Sequence, residues 1–180
     1  MGETHHPEQK TLYNLYALFA VSLVLCVVPQ ASAAMLCLVF FTWLLIAAYI
    51  IRRKAEENSL THNHTTYIIR SLWIGALISM LTTIAASLYM LKNISYEPFQ
   101  PCANVIAGKG VEALQAMSMM EVYAMAEPCV EGFISFNRHA LVMAVLIAAA
   151  PALLYMSYRF IRGVSRAVKG YRLANPKSWV

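Results

Sequence analysis

Residues Ala33–Ile51 read AAMLCLVFFTWLLIAAYII, nineteen consecutive residues without a charged side chain. An α-helix rises about 1.5 Å per residue, so this stretch is long enough to cross about 30 Å of membrane hydrocarbon. Three more apolar stretches carry charged residues only near their ends: Leu12–Val28, Tyr67–Leu91 and Ala140–Ile161. The sequence therefore predicts an all-α membrane protein, a four-helix transmembrane bundle.

The overall composition of the chain favours the same class. Of the 180 residues, 59% are hydrophobic and only 13% are charged, whereas a soluble domain of this size needs far more polar surface. We expect one transmembrane domain over residues 1–180, with no separate soluble domain. The polar residues 1–10 and the lack of a clear cleavage site argue against a cleaved signal peptide.

The placement of basic residues predicts the orientation of the spans. Arg52, Arg53 and Lys54 follow the second span, and a second basic group surrounds the end of the fourth: Arg159, Arg162, Arg166, Lys169, Arg172 and Lys177. Short flanks rich in Lys and Arg stay in the cytoplasm, so both termini are expected inside and residues 92–138 form an outer cap. The basic tail 162–180 is expected to meet anionic lipid headgroups in the bilayer, not nucleic acid.

Small residues recur every four positions along the third and fourth spans. Such residues let transmembrane helices approach closely and gain van der Waals contact that lipid cannot replace. We therefore expect both series to face other helices, and the alternative is that small residues are merely tolerated in apolar spans. The two series are Ser71, Gly75, Ser79, Thr83 and Ser87, and Ala140, Ala144, Ala148 and Ala152.

The predicted outer cap contains one apolar helical pattern and two cysteines. Residues Gly110–Ala126 place apolar side chains at three-residue spacing, which predicts a short amphipathic helix on the outer membrane face. Cys102 and Cys129 flank this segment and would be oxidised in an exported compartment. A structural disulfide is the main interpretation, with a redox-active pair or two unpaired thiols as alternatives.

The layout of the chain resembles DsbB-type disulfide-generating membrane enzymes. Four spans with both ends inside, a short first outer loop and a long second one with two cysteines carry the resemblance. That family requires a Cys-x-x-Cys pair in the first outer loop, but the turn Pro29–Ala33 here contains no cysteine. Cys26 and Cys37 lie within the flanking spans and could meet across the hairpin, although buried cysteines are usually small packing residues.

A second resemblance concerns the start of the third span. The segment 64–73 reads HTTYIIRSLW, which resembles the pattern Ser-His-x-x-Trp-x-Ile-Arg-Thr-Phe-Trp of a family of small bacterial inner-membrane proteins, distantly similar to Tic20-like helical proteins. His64, Ile69, Arg70 and Trp73 match this pattern outright. The resemblance implies a helical fold and a bacterial inner (cytoplasmic) membrane location, and it implies no activity.

Side chains at this end of the third span also predict a membrane anchor. Tyr67, Arg70 and Trp73 are spaced three apart, so that Arg70 can reach lipid phosphate while the aromatic rings sit at headgroup level. Together with His64, they form a predicted anchor at the lipid headgroups. The alternative is a binding site for a headgroup or for a partner.

Metal and cofactor sites are not expected. His62 and His64 lack a carboxylate or cysteine at ligand spacing. The methionines of the outer segment could hold Cu(I) beside the cysteines, but such residues are more often the apolar face of a helix. These are Met117, Met119, Met120 and Met125.

The sequence leaves three functional hypotheses. The first is a non-enzymatic accessory or assembly subunit of a larger envelope membrane complex, whose partners are other membrane subunits or copies of itself. The second is a thiol–disulfide oxidoreductase that uses quinone. The third is a small transporter or lipid-binding protein centred on Arg70.

Overall fold

The computed structural model describes residues 7–110 and 116–179, and all regular structure within them is helical. The α-helices are α1 Pro7–Val27, α2 Ala31–Lys54, α3 Leu60–Asn93, α4 Gln100–Lys109, α5 Met119–Phe136 and α6 Arg138–Val168. A 3-10 turn over Glu97–Phe99 precedes α4.

Four of these helices, α1, α2, α3 and α6, are long and apolar enough to cross a membrane. At about 1.5 Å per residue, α3 and α6 extend roughly 50 and 46 Å, more than the apolar thickness of a bilayer. Their ends must therefore reach the headgroups or water. This result confirms the all-helical class and the four long apolar helices, and it indicates a multi-pass membrane protein.

The chain divides into two compact units. The first comprises Met1–Leu81 and Ala150–Val180, and the second comprises Thr82–Ala149. The first unit contains the hydrophobic core, which α1, α2, α3 and α6 build together: Leu12, Leu15, Tyr16, Phe19, Leu44, Ala48, Ile68, Ile69, Leu72, Met156 and Ala167.

Close packing in the first unit involves two glycines. A Cβ atom at Gly163 of α6 would lie 2.5 Å from the hydroxyl oxygen of Tyr16 and 2.8 Å from its ring. A Cβ atom at Gly75 of α3 would lie 2.5 Å from the Sδ atom of Met156. A larger residue at Gly163 would displace the Tyr16 ring, so this glycine sets the approach of α1 to α6. At Gly75, the flexible end of Met156 can shift to make room for a Cβ atom.

The second unit contains a small aromatic cluster and a pair of hydrogen bonds between the Asn137 side chain and the backbone of Ser95. The ring centroids of Phe99 and Phe133 lie 4.7 Å apart, and Tyr96 stacks on Phe133 at 6.1 Å. Asn137, between α5 and α6, accepts from the Ser95 N–H and donates to the Ser95 carbonyl oxygen, both at 2.9 Å. These contacts hold the segment after α3 against the end of α5.

The helix boundaries of the outer segment differ from the predicted helix over Gly110–Ala126. Gly110, at a φ of 79°, ends α4. Met117 and Ser118 are not helical, and α5 begins at Met119. Residues 111–115 lie outside the described part of the chain. The new start has a capping box, because the Ser118 side chain accepts from the Glu121 N–H and the Glu121 carboxylate accepts from the Ser118 N–H. This Ser-x-x-Glu pattern is a helix-start signal that the three-residue periodicity obscured.

Candidate functional site

Buried polar side chains concentrate near the start of α3 and the end of α6. A run of hydroxyl, amide and imidazole groups in α3 is joined by one charged side chain from α6. Buried polar groups require hydrogen-bond partners. The set comprises Thr61, Asn63, His64, Thr65, Thr66, Ser71 and Arg159.

His64 is fully buried and is hydrogen-bonded at both ring nitrogens. Nε2 lies 3.0 Å from the carbonyl oxygen of Tyr171, and Nδ1 lies 2.9 Å from the hydroxyl oxygen of Tyr16. A carbonyl can only accept, so Nε2 carries the hydrogen. A neutral ring then uses Nδ1 to accept from Tyr16. This assignment satisfies every polar atom of the pair without placing a charge in the core.

Asn63 holds the segment after α6. Its Nδ2 donates to the Leu173 carbonyl oxygen at 3.0 Å, and its Oδ1 accepts from the Leu173 N–H at 2.8 Å. The chain turns back at Gly170, where a φ of 68° is favourable for glycine. The Tyr171 N–H donates to Arg166 and the Gly170 N–H to Ala167, the pattern of a Schellman motif. The tail is therefore packed against α3.

Arg159 is the charged member of this cluster and has no exposed surface. Its Nε donates to the Ser71 hydroxyl oxygen at 2.8 Å, and its Nη1 donates to the Ser178 carbonyl oxygen at 3.1 Å. The guanidinium carbon lies 3.6 Å from the ring centroid of Tyr67, a cation–π contact. Nη2 has no hydrogen-bond partner among the described residues.

None of these contacts of Arg159 carries a negative charge. Leaving a buried charge unpaired costs on the order of 3–5 kcal/mol when its partner is removed. Stacking on Tyr67 and two neutral acceptors offset part of this cost and fix the plane of the guanidinium. The remaining edge of the group, at Nη2, is buried without an acceptor among the described residues.

The four residues of the predicted headgroup anchor separate into two pairs. His64 and Tyr67 are buried in the cluster, and the Tyr67 hydroxyl donates to the Arg159 carbonyl oxygen at 3.0 Å. Arg70 and Trp73 are exposed, and Trp73 Nε1 donates to the Tyr49 hydroxyl at 3.1 Å. Steps of three residues rotate by about −60° each around a helix, so this series crosses from the interior to the outside.

Rotation also explains the placement of the small-residue series on α3. A step of four residues advances about 40° beyond a full turn. Ser71 and Gly75 are buried, Ser79 is half-buried, and Thr83 and Ser87 are exposed. On α6, three members are buried and one is half-buried: Ala140, Ala144 and Ala152, and Ala148.

The sequence interpretation missed Arg159 as a buried residue because it read the arginine as part of the basic flank. The spacing of residues along α6 does contain a signal for the burial of Arg159. Ala152, Met156, Arg159 and Gly163 follow one another at spacings of four, three and four and are all buried. Extending the alanine series by helical periodicity places Arg159 on the interior face.

All four cysteines lie within the described residues and are paired. Cys102 of α4 is bonded to Cys129 of α5, with Cα atoms 6.0 Å apart. Cys26 is bonded to Cys37 across the α1–α2 hairpin at a Cα separation of 5.5 Å, in place of the separate packing roles expected for them. The hairpin turn at Pro29 brings the two positions opposite each other.

The proposed metal ligands do not assemble in the described part of the chain. No group of three His, Cys, Asp or Glu side chains that could hold a metal occurs there. The cysteines beside the outer methionines form a disulfide and offer no thiolate to Cu(I). Met119 and Met120 are strongly exposed, as expected for residues that contact lipid or a partner.

The candidate site of this chain is therefore the polar cluster of Asn63, His64, Tyr67, Ser71 and Arg159 in the first unit. Comparison with protein-family models, with characterised proteins and with solved structures finds no match to this chain.

Proposed function

We propose that this protein is a non-enzymatic, multi-pass inner-membrane protein that acts as an accessory or assembly subunit of a larger membrane complex. The observation that carries the proposal is the exposed small-residue surface late in α3. Thr83 and Ser87 lie one turn apart with Ile84 and Leu88 exposed beside them. Another helix can approach this surface closely, because the side chains are short and the Ser87 hydroxyl is satisfied within α3, by Thr83.

The proposal includes the orientation of the chain. Arg52, Arg53 and Lys54 form the last turn of α2, and the helix α6 ends among further basic residues. The positive-inside tendency places both basic ends in the cytoplasm. The outer segment with Cys102 and Cys129 then faces the oxidising side, where a disulfide persists. The resemblance of His64–Trp73 to small bacterial inner-membrane proteins agrees with this location.

Purification in a mild detergent tests the proposed association. We expect a partner subunit or a homo-oligomer at fixed stoichiometry by native mass spectrometry. Replacing Thr83 and Ser87 by leucine would fill the small-residue surface and reduce recovery of the assembly at least about fivefold. Val142→Leu, at an exposed position of α6, serves as the control and should leave recovery unchanged. A monodisperse monomer that tolerates both changes would contradict the proposal.

The pairing of Cys26 with Cys37 favours a second candidate, a thiol–disulfide oxidoreductase. A substrate dithiol would be oxidised by exchange with Cys102–Cys129, and the two electrons would pass to Cys26–Cys37. From there, two electrons and two protons would reduce a membrane quinone to the quinol. Thiol trapping in membranes with an added dithiol peptide tests this candidate. Cycling of both pairs and quinol formation lost on Cys26→Ser would support it, whereas permanently oxidised pairs would exclude it.

A further inference from the structure

Two buried donors in the second half of α6 have no hydrogen-bond partner among the described residues. They are Nη2 of Arg159 and the hydroxyl of Tyr155. Tyr155 lies one helical turn before Arg159, and the guanidinium carbon is 6.0 Å from the Tyr155 ring centroid. We propose that Arg159 and Tyr155 bind a phosphate group, either that of a lipid headgroup or free phosphate. This proposal is independent of the association proposed above.

The contacts of Arg159 leave only Nη2 of the guanidinium without an acceptor among the described residues. Nε is held by Ser71 and Nη1 by the Ser178 carbonyl, while Tyr67 covers one face of the plane at 3.6 Å. The Nη2 amino group is the remaining donor. Because the side chain is already immobilised by these contacts, a ligand that binds at Nη2 needs little further ordering of the protein.

The charge of the surroundings selects an anion. The contacts of Arg159 among the described residues are all neutral, so they do not balance its positive charge. A phosphate oxygen would accept from Nη2 and from the Tyr155 hydroxyl and would neutralise the guanidinium, as charge-assisted arginine–phosphate contacts do.

The position of these donors suits a phosphate group more than another anion. The helix α6 is longer than the hydrocarbon core of a bilayer, and its basic end must lie at the headgroup level. Lipid phosphate is the most abundant anion at that depth. The planar guanidinium of arginine matches the spacing of phosphate oxygens, so arginine pairs with phosphate in preference to anions that fit it less well.

Binding to the intact protein in a phosphate-free maltoside detergent tests the proposal. The probes are inorganic phosphate, with chloride at equal ionic strength as reference, and dioctanoyl phosphatidylglycerol, with dioctanoylglycerol as the reference lacking phosphate. Thermal midpoint and native mass spectrometry report binding. A response to phosphatidylglycerol alone assigns the site to lipid, and a response to both probes assigns it to phosphate in general.

Variants identify the residues responsible. Arg159→Gln should weaken binding about tenfold or more, and Arg162→Gln, at an exposed neighbouring arginine, should change it less than about twofold. Tyr155→Phe removes only the unpartnered hydroxyl, so it should fold normally and weaken binding about threefold. If Arg159→Gln does not fold, the affinity of Tyr155→Phe for the two probes decides whether these residues bind phosphate. No response of the wild type to either probe, or unchanged affinity in Arg159→Gln and Tyr155→Phe, would overturn the proposal.

Discussion

The side-chain amide of Asn63 makes both of its hydrogen bonds with the backbone of a single residue, Leu173, 110 positions later in the sequence. An amide that both donates and accepts in this way substitutes for a backbone partner. The contact lies beside the His64–Tyr171 hydrogen bond. Together they fix the backbone of the tail on α3.

Releasing this contact should free the tail. Asn63→Ala leaves the Leu173 N–H and carbonyl without their partner, at a cost of about 1–3 kcal/mol of stability. We expect trypsin to cleave after the exposed Arg172 much faster than in the wild type. Asn93→Ala, which removes one exposed hydrogen bond within α3, is the control. Equal cleavage rates in the two variants would show that Asn63 does not hold the tail.

Alanine substitutions at Gly163 and at Gly132 should have opposite effects on stability. At Gly163, the new Cβ meets the Tyr16 ring, which cannot move without losing the hydrogen bond to His64. Overpacking of this kind costs about 1–3 kcal/mol. At Gly132, in the exposed part of α5, nothing lies within 4 Å. Alanine there should stabilise the helix by about 0.5–1 kcal/mol. Detergent unfolding curves measure both values, and a neutral Gly163→Ala would contradict the close approach of α1 and α6.

The capping box of α5 should depend on pH. Hydrogen bonds from the Ser118 N–H and hydroxyl, at 2.8 and 2.9 Å, lower the pKa of the exposed Glu121 carboxyl below its ordinary value. A lowered pKa in the folded state means that the cap is fully formed above the unfolded pKa, about 4.3. It is lost as the pH falls through the lower folded value.

The Ser118 amide shift, followed by NMR from pH 7 to pH 3, reports this transition directly. It should titrate with a midpoint below that of an ordinary glutamate, and Glu121→Gln should abolish the titration. A midpoint at or above the ordinary value would be inconsistent with the capping box.

Removing the disulfides should destabilise the protein unequally. Cys102 and Cys129 are separated by 27 residues and Cys26 and Cys37 by 11. On the chain-entropy account, the longer loop contributes about 3.5 kcal/mol and the shorter one about 3 kcal/mol. Paired serine variants, unfolded in SDS titrations, give the two values. Helical content by circular dichroism controls for misfolding, and wild-type stability in the Cys102/Cys129 double variant would refute a structural role.

Length and hydropathy were sufficient to predict the helical class and the four long apolar helices, because both follow from local composition. The partners of Asn63 at Leu173 and of His64 at Tyr171 could not be predicted, since they are backbone groups more than 100 residues away that carry no side-chain signal. Helical periodicity could have predicted the burial of Arg159, but its basic neighbours made this residue resemble part of a basic membrane flank. The start of α5 at Ser118 was likewise encoded locally, in a capping box that apolar spacing concealed.

The central claim is that four helices cross the membrane and leave the loop before α3 and the tail on one side, opposite the segment that contains Cys102 and Cys129. Fusions of green fluorescent protein and of alkaline phosphatase after Glu57, Gly110 and Trp179 test it most directly, because the first reporter is active only inside and the second only outside. The account predicts fluorescence at Glu57 and Trp179 and phosphatase activity at Gly110. The same compartment for Gly110 and Trp179 would contradict it.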